Sequence, residues 1–153
     1  MIFIYHPDAA TMTAYALRQW LASTLADVLS TPPADREITT PPSAGALLDL
    51  GLPDYPWQFE PRHLTDDRET QGGVHFSRLR AIRRQGTLNF SNVPGSVIQH
   101  WRAWHAATQG GRLPFIAQLP DLAVLPVLAP GDFPLSLVRL ERWRGALNLI
   151  EAL

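Results

Sequence analysis

The side chains able to carry acid–base chemistry gather in one stretch: His63, the run Thr65-Asp66-Asp67-Arg68-Glu69, and His75. An imidazole beside a carboxylate is the minimal pair for moving a proton. His63 or His75 with Asp66 or Asp67 is therefore the best catalytic constellation that the chain offers. It comes without a nucleophile motif such as Gly-x-Ser-x-Gly and without a glycine-rich phosphate loop. Neither an enzyme nor a cofactor is expected. The carboxylates also lack the Asp-x-Asp-x-Asp-Gly spacing by which a tight loop holds a hard cation. His100 and His105 are five apart, not the four that place two imidazoles on one helix face for zinc. The chain has no cysteine, which excludes disulfides, thiol catalysis and thiolate metal sites. No metal site is expected, and 65–69 reads as a solvated loop.

Arg78, Arg80, Arg83 and Arg84 place four guanidinium groups within seven residues, a spacing that could serve phosphates. No aromatic stacking platform accompanies them. The preferred reading is a charged edge facing solvent or a neighbouring subunit, which also blocks unwanted strand pairing. No specific nucleic acid is expected. All 13 basic residues are arginine, and they are unevenly placed. Residues 1–70 carry ten acidic side chains against four arginines, and residues 71–153 carry four against nine, so the halves differ in sign. Such halves neutralise each other within one monomer or let copies meet head to tail. The net charge of −1 gives no general attraction to nucleic acid or an acidic membrane.

These groups need elements to position them, and 153 residues suffice for one domain with a real core. No apolar run approaches the roughly 20 residues of a membrane-spanning helix, and no membrane partner is expected. Met1–Tyr5 is too short for a signal peptide and reads as a strand ended by His6-Pro7. Leu17, Leu21, Leu25 and Val28 then recur at helical spacing between Thr11 and Ser30, with Thr13 or Asp8 as cap and Pro32-Pro33 as stop. Residues 1–30 thus form an N-terminal strand and helix.

Residues 31–71 form a Pro-rich, acidic arm of extended segments and ordered loops. Its prolines remove ladder donors and forbid long helices. Ile38, Leu47, Leu48, Leu50, Tyr55, Trp57 and Phe59 are too many for a solvated spacer and too interrupted for a separate core. The arm is expected to dock between subunits, with Tyr55, Trp57, Phe59, Arg78, Arg80, Arg83 and Arg84 as the candidate interface.

Residues 72–153 read as a β-rich core with one helix. Val74 and Phe76 alternate with polar neighbours, the phase slips after Arg78, Gly86 interrupts, and Leu88 and Phe90 resume a period of two. The pattern predicts strand, turn, strand, with the arginines near the turn. A helix follows over about 94–108. Pro94 suits its first turn, Ser91 or Asn92 its cap, and Val97, Ile98, Trp101 and Trp104 with Ala107 form its apolar stripe. Gly110-Gly111 stops it. Strands are expected over Arg112–Ala117, Leu122–Leu128, Leu135–Trp143 and Ala146–Leu153, the last two joined by a hairpin turn at Arg144-Gly145.

The order of these elements, with the segment TLNFSNVPGSVIQHWRAWHAATQGGRLPFIAQLP, resembles the minor tail and distal tail proteins of long-tailed bacteriophages. That group includes the lambda-type minor tail protein and the distal tail proteins of gene transfer agents. In it a strand leads into one helix that closes on a glycine pair, and an aromatic-containing strand follows at once. Leu88–Phe90, Val97–Ala107, Gly110-Gly111 and Phe115 occupy those positions here, and Arg142-Trp143 corresponds to the late aromatic strand. The match covers about residues 72–153.

The resemblance implies an α+β, mainly β fold: a tail-tube-like β-sandwich or small barrel with one covering helix. It further implies assembly as a ring, a hexamer being favoured, at the tail tip or baseplate of a virion made in the host bacterial cytoplasm. The partners would be copies of the chain itself and tail tube, tip or hub proteins. A tail-completion or head–tail connector protein is the close alternative, and a small nucleic-acid-binding module using Arg78–Arg84 is the more distant one.

Overall fold

The computed structural model describes every residue except 33, 34, 43, 74, 134 and 153. For residues 66, 68, 75–77, 79 and 80 it describes the backbone alone. The fold is α+β and mainly β, with an eight-stranded antiparallel sheet and two helices among the described residues. Along the chain come β1 (Ile2–Tyr5), α1 (Ala14–Leu29), β2 (Ala46–Asp49), β3 (Glu60–Glu69) and β4 (His75–Pro94). A 3-10 turn at Gly95–Val97 leads to α2 (Ile98–Ala107), then β5 (Phe115–Gln118), β6 (Val124–Leu128), β7 (Ser136–Arg139) and β8 (Arg142–Glu151). The strand order is β2-β1-β5-β6-β8-β4-β3, with β7 beside the start of β8.

The alternation of side chains along the strands decides what each face covers. Phe3 and Tyr5 of β1, Phe115 and Ala117 of β5, and Leu125 and Val127 of β6 enter the main core. Leu48 of β2, Leu88 and Phe90 of β4, and Leu147 and Leu149 of β8 enter the same cluster. Strands far apart in the sheet order share one core, so the sheet wraps round it. Trp104 of α2 sits at the centre, fully buried, with ring centroids 5.6 Å from Phe3 and 5.3 Å from Phe115. Ile4, Ile116 and Val124 point the opposite way and pack against Leu17 and Leu21 of α1. The middle of the sheet is thus buried on both faces.

Both helices end as their sequences demand. The Thr13 hydroxyl accepts the Ala16 N–H and caps α1. At the exit of α2, the buried Thr108 hydroxyl donates to the Trp104 carbonyl and accepts the Gly111 N–H. Gly110 and Gly111 adopt φ of 69° and 77°. A β-carbon on Gly111 would lie 2.5 Å from the Ala129 carbonyl oxygen, so this stop requires glycine. The apolar stripe holds, but its buried centre is Trp104; Val97 and Trp101 are half-buried at its margin. Ser91 does not cap α2, because its hydroxyl bonds the Asp54 carboxylate at 2.7 Å.

Four expectations are corrected. The stretch 65–69 is not a loop: it belongs to β3, paired with β4 from Glu60↔Gln85 to Glu69↔His75. Gly86 does not interrupt a strand, since β4 runs unbroken for 20 residues and the arginines lie along it, away from a turn. Arg144-Gly145 is not a hairpin turn, since both residues lie within β8 and the chain reverses at Leu140-Glu141 with Glu141 at φ 59°. The segment before β3, expected as an extended arm, packs in part into the chain's own core. Leu48 and Leu50 are core residues, and Trp57 and Phe59 pack half-buried against the same core. Val74 lies outside the described residues.

Arg36 anchors the Pro-rich segment. Its buried guanidinium donates to the Thr31 carbonyl from Nε at 3.2 Å and Nη2 at 2.7 Å, while its own carbonyl accepts Gln118 Nε2 at 2.7 Å. The cation sits just beyond the C-terminal end of α1, where the helix dipole favours positive charge.

Candidate functional site

Two features stand out from the core: a projecting ribbon and a groove. The ribbon arises because β4 is longer than its neighbour in the sheet. Gln85–Pro94 pairs with β8, whereas His75–Arg84 pairs with β3 alone. Every described side chain of β3 is exposed, and Arg78, Ile82 and Arg84 of β4 are exposed with them. Ten residues of strand extend roughly 33 Å. A two-stranded ribbon with solvent on both sides has no core to hold it and is marginal on its own.

The ribbon separates His63 from Asp67 by four strand residues, roughly 13 Å, and sets His75 opposite Glu69, two residues from Asp67. His63 pairs with Ile82, whereas His75 pairs with Glu69 six residues further along, roughly 20 Å away. The side chains of Asp66 and His75 lie outside the described residues. Among the described residues no three His, Asp or Glu side chains gather as a metal site would require.

The candidate interface residues are dispersed. Tyr55 is 92% exposed, whereas Trp57 and Phe59 serve the chain's own core. Arg78 is exposed on the ribbon, and the side chain of Arg80 is outside the described residues. Arg84 Nε lies 3.9 Å from the Glu151 carboxylate, whose Oε2 also accepts the Arg84 N–H at 3.0 Å. Arg83 faces elsewhere, into the groove, and its Nε is buried without an acceptor.

That groove, about 840 Å³, lies between α1, the outer face of β6 and the loop before β5. Leu17, Leu21 and Leu25 form its helical wall, and Pro126 and Leu128 its sheet wall. Arg18, Arg83 and Arg112 line it from three separate elements. Sequence reasoning missed it because each arginine comes from a different stretch. The outward alternation of Pro126 and Leu128 was the available signal: two apolar side chains on the face that should meet solvent.

A third surface is the β7–β8 hairpin, where all four residues of β7 are exposed and Leu137, Val138 and Leu140 present apolar side chains to solvent. No helix among the described residues is long and apolar enough to cross a membrane. No protein-family model, curated protein or solved structure matches the chain.

Proposed function

We propose that this chain is a structural subunit of a phage tail tip or baseplate ring, of the distal tail or minor tail kind, linking tail tube to tip proteins. The observation that carries the reading is the coreless ribbon of β3 and β4 projecting from a well-packed body. A segment that gains no burial from its own chain gains it from a partner. Exposed Leu137, Val138 and Leu140 add a second apolar surface of the kind assemblies cover. The sheet wrapped round Trp104 is compatible with the small barrel and covering helix of tail-tube-like folds. On this reading the partners are copies of the chain in a ring, a hexamer by resemblance, and neighbouring tail proteins in the virion.

Particle size tests it. Mass photometry of the purified chain should give closed oligomers, and negative stain should show rings or short tubes. A monomer at all concentrations would reject the reading.

A second reading, nucleic-acid binding, has one observation in its favour: Arg78 and Arg84 are exposed on a ribbon of the width that enters a major groove. Exposed Asp67 and Glu69 on the paired strand oppose it. Binding to duplex DNA with a steep salt dependence would favour this reading over the ring.

A further inference from the structure

We infer that the groove between α1 and β6 is the socket for the β3–β4 ribbon of a second copy of this chain. The inference rests on the ring reading and names the contact that would build it. The groove asks for an occupant with apolar and anionic groups together. Its walls are Leu17, Leu21, Leu25, Pro126 and Leu128, while Arg18, Arg83 and Arg112 lack a carboxylate partner among the described residues. Arg83 lines the wall half-buried, so a carboxylate would meet it partly shielded from water.

The ribbon has the complementary chemistry. Leu64, Asp67 and Glu69 lie along β3, all exposed, on an arm that has no core of its own. Asp67 and Glu69 meet the guanidinium groups from one face of β3, and Leu64 meets the aliphatic wall from the other. A nucleic acid would find no stacking surface, since no aromatic ring among the described residues lines the groove.

The chain's own ribbon cannot fill its own groove. Arg83 sits at the ribbon's base, opposite Arg62, and lines the groove from there. Glu69 is seven residues further out, roughly 23 Å along a straight strand pair. The tip leads away, so the occupant is a different copy. Socket and ribbon are different surfaces, which makes the contact heterologous and able to close into a ring.

Charge exchange in the full-length chain tests this. The groove variant is Arg18→Glu with Arg112→Glu, and the ribbon variant is Asp67→Arg with Glu69→Arg; all four positions are exposed. Each variant alone should lose assembly by roughly a hundredfold or more in dissociation constant while keeping the parent's melting temperature. Mixing the two, or combining all four changes in one chain, should restore the parent's particle, because each reversed ribbon then meets a reversed groove.

Cysteine mapping adds a readout that is independent of charge, in a chain that has no other cysteine. Leu64→Cys with Ala22→Cys should give a ladder of intermolecular disulfides on mild oxidation. Assembly by the parent together with unaltered assembly by either charge variant, or a mixture that stays dissociated, would overturn the socket and leave the ring reading standing. A parent that never assembles would overturn both.

Discussion

The carbonyl oxygen of Gln58 lies 2.0 Å from the point that a β-carbon on Gly86 would occupy. The Phe59 Cα lies 3.2 Å from the same point, so backbone closes on Gly86 where the ribbon leaves the body. Gly86 is thus the position at which the incoming segment presses onto β4 before β3 begins.

Gly86→Ala should therefore be costly, since neither neighbour is a side-chain tip that can turn aside. A loss of about 2–3 kcal/mol is expected from forced backbone displacement. Urea unfolding measures it. An unchanged midpoint would mean that the segment over Gly86 is not packed as described.

Trp104 should separate burial from hydrogen bonding. Trp104→Ala empties the centre of the core and should cost about 3–5 kcal/mol. The indole N–H has no acceptor in its buried site, so Trp104→Phe removes an unmet donor along with part of the ring. The Phe variant should lose less than half of what the Ala variant loses. Equal losses in urea would show that the indole nitrogen is satisfied after all.

The Met1 amino group donates to the Gly51 carbonyl and lies 3.6 Å from the Asp49 carboxylate. Burial pushes its pKa below 8.0, and Asp49 opposes the shift in part. Between the lowered value and 8.0 the unfolded chain binds this proton more readily than the folded one. Stability should therefore rise with pH through that window and level off above it. Asp49→Asn removes the opposing charge and should steepen the rise. Urea titrations from pH 7 to 9 check both, and a fall in stability across the interval would refute the assignment.

The two helices were legible because their signals are local. Leu17 and Leu21 mark the buried side of α1, Thr13 caps it, and Gly110-Gly111 ends the stretch that carries Trp104. The β-rich character of 72–153 followed from the same reading, since Leu88, Phe90 and Phe115 lie where strands were expected. The ribbon was not legible. Its β3 strand, from Glu60 to Glu69, shows no apolar alternation because neither face meets a core, and Pro61 argued further against a strand. Gly86 was mistaken for a break because its requirement comes from Gln58, 28 residues earlier. Gly145 misled in the same way: it lies in mid-strand opposite Phe90, while the turn falls on Leu140-Glu141 without any glycine. The groove is a product of packing, built by Arg18, Arg83 and Arg112 from segments that the sequence keeps apart.

Because β4 belongs to the ribbon at one end and to the sheet at the other, the arm has no joint at its base. A pull on the tip along the strand passes through Gln85 directly into the ladder with β8. It meets those hydrogen bonds in shear, where many must break together, and not in peel, where they would open one by one. The arm is a tie-rod rooted in the body's own sheet, and tension along it is borne by the core.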